Sequence, residues 1–140
     1  MIVIHLSNTT NYKNGGGIYE VASNIVESMK NSNDIYNYYF VRWYNFPFRL
    51  LLKKNADLII HRHGLWTLES VLLLFLSKFF NIPFFLNPHG LYGPAGSKKS
   101  SFKKRIFFNL IEKHLFKKSK SVIACSESEK QMFVTQKIKF

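Results

Sequence analysis

Apolar and polar positions along the chain sort into short extended runs and longer helical stretches that alternate. Ile2–Leu6 is an apolar run of strand type, and Ser7–Gly17 is a polar loop rich in Asn and Gly. From Ile18 to Lys30 the apolar residues Ile18, Val21, Ala22, Ile25, Val26 and Met29 fall at helical spacing, with Glu20 in the first turn. Asn31–Asp34 break that helix, and Ile35–Val41, dense in Tyr and Phe, reads as a second strand. A short helix is predicted over Phe46–Lys54, beginning around Pro47. Leu58–His61 and Phe84–Asn87 read as the third and fourth strands. Between them an apolar helix spans Thr67–Phe80, with Thr67 as its N-cap. A Gly/Pro/Ser/Lys loop, Pro88–Ser101, leads to a basic helix, Phe102–Lys118, and a fifth strand, Ser121–Cys125. Ser126 and Glu129 stand at capping-box spacing and open a last helix. The alternation predicts an α/β fold with a doubly wound parallel sheet.

At 140 residues the chain is expected to form one domain, and 46% hydrophobic content with 14 Phe is ample for an aromatic-filled core. Cys125 is the single cysteine, so no internal disulfide can form, which fits a reducing compartment. Met1–Leu6 has neither a basic leader nor a signal-type apolar stretch and reads as a first buried strand. The best candidate for a membrane span, Leu68–Leu86, contains Glu69, Lys78, Asn81 and Pro83 and reads instead as a helix plus a strand. A cytoplasmic protein is the expectation.

The net charge of +12 is unevenly placed. Residues 98–120 carry nine Lys and Arg side chains against Glu112 alone, which implies an anionic partner: phospholipid, nucleic acid or a phosphorylated substrate. In the basic helix Phe102, Ile106, Phe107, Leu110, Ile111 and Leu115, widened by Phe108 and Phe116, make an apolar arc broader than docking on one sheet requires. Flanked by Lys103, Lys104, Arg105 and Lys117, such a helix can lie on an anionic bilayer, at the inner face of the membrane. Core packing with a solvated cationic face explains the pattern as well.

Two stretches carry candidate chemistry. Asp57-Leu-Ile-Ile-His-Arg-His-Gly-Leu-Trp66 and Phe84-Phe-Leu-Asn-Pro-His-Gly-Leu-Tyr92 are both apolar runs ending in a polar His-Gly tip. Neighbouring parallel strands that deliver such tips to one edge of a sheet suggest a site, because ligands bind at the carboxyl ends of the strands. Gly15–Gly17 follow the first strand and precede a helix N-terminus, an arrangement that favours phosphate, although a tight turn explains them equally. His61 and His63 are two apart, so an extended strand points both to one side and Arg62 to the other. A zinc site needs further ligands, and no carboxylate stands at metal-binding spacing, so no metal or other cofactor is expected. His61 then reads as a semi-buried strand-end histidine. His89, between Pro88 and Gly90, can donate to a developing oxyanion or a sugar hydroxyl, or merely cap its loop. No serine lies in a nucleophile-elbow context, and no carboxylates are paired as a glycosidase needs.

The order of these pieces resembles the N-terminal half of a GT-B glycosyltransferase of glycosyltransferase family 4. A strand and a Gly-rich loop precede Asp57–Trp66 and Ile82–Gly90; a basic helix and Ala124-Cys-Ser-Glu-Ser-Glu129 follow. The resemblance implies a Rossmann-like domain that binds the acceptor of a retaining transferase acting from a sugar nucleotide, in bacterial surface polysaccharide or glycolipid assembly. It implies His89 as the catalytic residue near the reacting sugar, Gly15, Gly16 and Gly17 at the donor diphosphate, and His63, Gly64 and Trp66 on the side of a glycan or lipid-linked acceptor. The basic helix resembles the membrane-associating surface of relatives with lipid-linked acceptors. Residues 1–140 would be this one domain, with the donor-binding domain absent, so the chain alone is expected to be inactive. The alternative is a stand-alone basic α/β module that binds a nucleotide or a nucleic acid, and a regulatory partner role is a third reading. Against nucleic acid, the basic block holds no motif that reads DNA or RNA.

Overall fold

Strand side chains alternate between the two faces of a sheet, and in this protein the alternation separates an apolar core from a polar site. The computed structural model describes residues 1–8, 12–31, 37–52, 57–90 and 102–135. Ile2–Ser7 (β1) and Leu58–His63 (β3) pair in parallel, with Ile4 opposite Ile60, Leu6 opposite Arg62, and His5 opposite His61. Asn37–Val41 (β2) joins the other edge of β1, while Phe84–Asn87 (β4) and Ser121–Val122 (β5) extend the sheet beyond β3. The order is β2-β1-β3-β4-β5, all parallel, as the alternation of elements predicts. It reverses direction between β1 and β3, the place where doubly wound sheets open a crevice at their carboxyl ends.

One face carries Ile4, Leu6, Ile60, Phe84, Leu86 and Val122, buried against the helices Leu68–Phe79 (α2), Lys113–Lys118 (α4) and Glu127–Thr135 (α5) through Leu73, Leu76, Leu115, Phe116 and Phe133. The other face carries His5 and Ser7 of β1, His61 and His63 of β3, and Asn87 of β4. The helix Tyr12–Asn31 (α1) lies on this second face: its Tyr19 ring sits 5.9 Å from Phe40, the register partner of His5.

The structure departs from the sequence reading in several places. The helix expected from Ile18 begins at Tyr12 and breaks at Gly16, where φ is 46° and ψ −136°, a conformation that only glycine takes without strain. The short helix expected from Pro47 is two 3₁₀ turns, Trp43–Asn45 and Phe48–Leu52. β3 runs on to His63, so His61 lies within the strand and is buried rather than at its end, and β5 stops at Val122. The basic helix is Phe102–Phe107 (α3), a π-helical turn over Phe108–Glu112, and α4. Thr67 precedes α2 with extended backbone, but its hydroxyl accepts from Arg62 Nη2 at 2.6 Å rather than capping the helix. Ser126 Oγ does accept from the Glu129 N–H, at 3.2 Å, as the capping box predicts. Residues 91–101, with Lys98 and Lys99, lie outside the described residues, as does the side chain of Arg105.

Arg62 is 1% exposed. Its guanidinium donates to the His63 carbonyl, to Thr67 Oγ1 and to Ser70 Oγ (3.3 Å), and Ser70 Oγ donates in turn to Glu112 Oε1 at 2.7 Å. The same oxygen accepts the Trp66 backbone N–H at 2.7 Å. Burial works against the Arg62 charge; Glu112 and then Glu69, both buried, favour it. Burial likewise pushes the Glu112 carboxyl up, against the pull of Arg62, Trp66 and Ser70. Removing one partner of a buried charge set costs about 3–5 kcal/mol, because it strands the others. Arg62→Met is therefore expected to lower stability by about that amount in urea titrations. Glu112→Gln, which keeps an oxygen for Trp66 and Ser70, should cost clearly less. Equal losses would show that the carboxylate charge, rather than its hydrogen bonds, holds this region together.

Candidate functional site

Four of the five histidines converge on the polar face of the sheet. His5 and His61 are register partners on adjacent strands, and His63 follows His61 by one pleat. His5 Nδ1 lies 3.0 Å from His63 Nε2, and His63 Nδ1 lies 2.9 Å from His89 Nε2. His89 Nδ1 in turn lies 3.6 Å from Cys125 Sγ, whose S–H donates to Asn87 Oδ1 at 3.1 Å. The links form a directional chain. If Cys125 donates to Asn87, His89 donates to Cys125, His63 donates to His89, and His5 donates to His63. His5 Nε2 is then a bare lone pair, and that atom is buried without a hydrogen-bond partner among the described residues.

His89 stands at the exposed end of this chain. It is half-buried, just past the end of β4, with φ of 55°, and Gly90 follows at 75°. Histidine tolerates the left-handed region better than most residues, but something must hold it there. The His89 N–H donates to Asn87 Oδ1 at 3.3 Å. Glu129, 1% exposed, accepts the Gly90 N–H at 3.0 Å with one carboxylate oxygen and the Cys125 N–H at 2.9 Å with the other. One carboxylate from α5 thus ties the tip of β4 to the turn after β5.

The other proposed site residues fall as follows. His63 is fully buried and touches His89 rather than the surface. Gly64, at φ of 79°, is buried, and its N–H donates to the Asn87 carbonyl at 2.8 Å, joining the two His-Gly tips. Trp66 has φ of 64°, an outlier for so bulky a residue, and its half-buried ring lies 5.8 Å from Phe108 of the π turn. Gly16 and Gly17 face open space where a side chain would begin. They belong to the break in α1, which follows β1 and so starts at the carboxyl edge of the sheet. Of the proposed membrane-binding cations, Lys103 and Lys117 are exposed and Lys104 is half-buried.

The sequence reading did not single out four residues that build this site. His5 lay within an apolar strand, and only the β1–β3 register brings it beside His61. Glu129 was read as a capping-box residue, Asn87 as a strand end, and Cys125 as a redox marker. The signal for Glu129 was present in Ser126-x-x-Glu129, a spacing that fixes where the carboxylate starts but not which amides it meets.

Burial holds all four imidazoles in the neutral form. Loss of solvent lowers His5 and His89 to about 4 and His61 to about 3, the last with help from His5 and His89; Arg62 adds to the effect on His89. Burial, the three other histidines and Arg62 push His63 lower still. An unfolded imidazole takes its proton near 6.5, so the unfolded chain binds protons first as pH falls. Stability from these groups is complete above pH 6.5 and declines from there to about pH 4 for His5 and toward pH 3 for His61. Each histidine that stays neutral in the fold costs about 1.4 kcal/mol per pH unit over that window. Glu112, which binds its proton more readily when folded, opposes part of the loss. Thermal melts in EDTA between pH 7.5 and 4.5 should show a steep fall in Tm. A flat profile would mean that the rings accept protons without unfolding.

A fold of this kind, with a histidine presented at the carboxyl edge beside the crevice, can hold a polar ligand and move a proton at the His89 imidazole. No curated protein and no solved structure matches the chain. Residues 14–139 match the sequence model of Glycosyltransferase Family 4. That match covers nine-tenths of the 140 residues, includes both His-Gly tips and the basic helix, and identifies the chain as a member of glycosyltransferase family 4.

Proposed function

We propose that this domain is the acceptor-side half of a retaining GT-B glycosyltransferase that takes sugar from a sugar nucleotide, for bacterial surface polysaccharide or glycolipid assembly. A second Rossmann-like domain would hold the donor. The observation that supports this reading best is the presentation of His89. A strained histidine, fixed by Asn87 and Glu129 and backed by His63, sits where a cleft between two such domains would open. Neutral His89, its Nε2 lone pair taken by His63, keeps an Nδ1–H that faces Cys125 at 3.6 Å and can turn to donate to a sugar hydroxyl or a developing oxyanion. Gly15, Gly16 and Gly17 fit the side facing the donor diphosphate by their place after β1, and among the described residues nothing stands within 4 Å of where a side chain would begin at Gly16 or Gly17. Gly64 and Trp66 fit the acceptor side as scaffold, with His63 acting through His89. No metal is assigned a part in the transfer.

The test is kinetic. In an enzyme containing this domain and a donor domain, His89→Ala should lower kcat by roughly a hundredfold, the scale of losing one preorganised donor, with little change in Tm. The domain alone should yield no product from sugar nucleotides. An unchanged kcat with a large fall in Tm would assign His89 to the loop alone, and turnover by the domain alone would remove the two-domain reading.

The basic helix fits a peripheral site at an anionic membrane. It divides its apolar residues: Leu115 and Phe116 enter the core, with Phe108 and Ile111 against it, while Phe102 (71% exposed), Ile106 and Leu110 (64%) form an outward stripe one turn apart. Exposed Lys103, Lys113 and Lys117 stand on the same helical stretch. The adjoining α2 exposes Leu68, Val71, Phe75 and Phe79 in a second stripe. No helix among the described residues is long and apolar enough to cross a membrane. Each cation near an anionic surface contributes on the order of 1 kcal/mol, screened by salt. Co-sedimentation with vesicles should rise with phosphatidylglycerol, fall with salt, and be lost on charge reversal at Lys103, Lys104 and Lys117. Equal recovery with neutral and anionic vesicles would refute the electrostatic part; tighter binding to duplex DNA at physiological salt would favour a nucleic-acid partner.

A further inference from the structure

Three histidines of the polar face form a donor set that sugar transfer by His89 does not require. One ring nitrogen each from His5, His61 and His63 lies within 4.8 Å of the others, all three residues buried. Their convergence follows from the backbone: two come from one face of β3 at consecutive pleats, the third from the register partner on β1. Nitrogens bound tetrahedrally to one zinc ion, at about 2.0–2.1 Å each, stand roughly 3.3 Å apart. The His5 Nδ1 to His63 Nε2 separation is already 3.0 Å, so His61 must close the rest, by roughly 1.5 Å. Its Nε2 is buried and has no hydrogen-bond partner among the described residues, and His5 Nε2 is in the same state. Buried polar atoms are paired in the great majority of cases. The unpaired His61 Nε2, beside His5 Nδ1 and His63 Nε2, therefore calls for a ligand, while His5 Nε2 stays outside the donor set.

We propose that His5, His61 and His63 bind one Zn²⁺ ion, which clasps β1 to β3 where the strand order reverses. Three neutral nitrogen donors without a carboxylate suit zinc rather than magnesium or calcium, and three protein ligands leave a fourth position on the ion. His63 already carries the supporting contact that zinc-bound histidines have. With Nε2 on the metal, its Nδ1–H donates to His89 Nε2 at 2.9 Å. The ion thereby fixes the tautomer of His89, whose remaining proton sits on Nδ1, toward Cys125. The expectation of no metal rested on counting only His61 and His63; the register supplies the third donor. Metal binding is measured without turnover, so it stands or falls separately from the proposed transfer reaction.

The test uses the full chain, stripped with EDTA and titrated with ZnCl₂ by calorimetry. One ion per chain at micromolar Kd or tighter is expected, and Co²⁺ in its place should give the visible bands of a low-coordinate nitrogen site. His61→Ala and His5→Gln should each weaken binding at least a hundredfold, while His114→Ala, which removes the exposed fifth histidine, should leave it unchanged. Should a ligand variant fail to fold, ¹⁵N spectra of the wild-type rings decide: zinc must shift the ring nitrogens of His5, His61 and His63 and leave His114 in place. Absence of stoichiometric binding, binding that survives His61→Ala together with His5→Gln, or shifts confined to His114 would overturn the proposal.

Discussion

A guanidinium sealed from water sets the terms for the rest of this domain. Arg62 projects from the apolar face of β3, where the strand on its own offers it one acceptor, the His63 carbonyl. It must draw partners from elsewhere, and it does so from the loop after β3, from α2 and, through Ser70, from the π turn of the basic helix. The π turn brings Glu112 inward, out of a helix whose neighbours are cationic. Glu112 then holds the Trp66 amide in a loop conformation that the residue would not adopt unaided. A basic surface helix and a strained loop are two outcomes of neutralising one buried charge.

The same strand explains why the site is polar yet inaccessible. With Arg62 and Ile60 committed to one face, His61 and His63 must occupy the other, and parallel register sets His5 beside them. Packing four imidazoles together without a carboxylate among them is tolerable only if they stay uncharged, and removal from water ensures this. Of the four histidines, the one that reaches the edge is His89, hydrogen-bonded back through His63 to the interior. The half-buried histidine thus shares its protonation and tautomer with residues buried in the interior.

The sheet, its parallel sense and most helices were legible in the sequence because periodicity in hydrophobicity reports burial directly. The opposed placement of Arg62 and the two histidines followed from alternation alone. His89 and the two His-Gly tips were legible as a pair because each ends an apolar run. His5 was not, because register between strands far apart in sequence is fixed by the whole sheet rather than by any local pattern. The π turn and the role of Glu112 were hidden for a related reason: a lone acid in a basic helix looks like a solvated residue until its partner is known. The basic helix, left open between core and membrane, serves the core with one side and presents an apolar stripe with another. Its composition could state the excess of apolar residues but not how they divide.

Glu129 gives the domain an order of assembly. Its carboxylate joins amides thirty-nine and four residues upstream, so the His89–Gly90 turn cannot take its final shape until α5 has left the ribosome. The early strands, with three of the clustered histidines, can come together before that point; the fourth waits for α5. A nascent chain would therefore carry a formed sheet with an unset tip, and the edge of the site would be the last part of the domain to acquire its geometry.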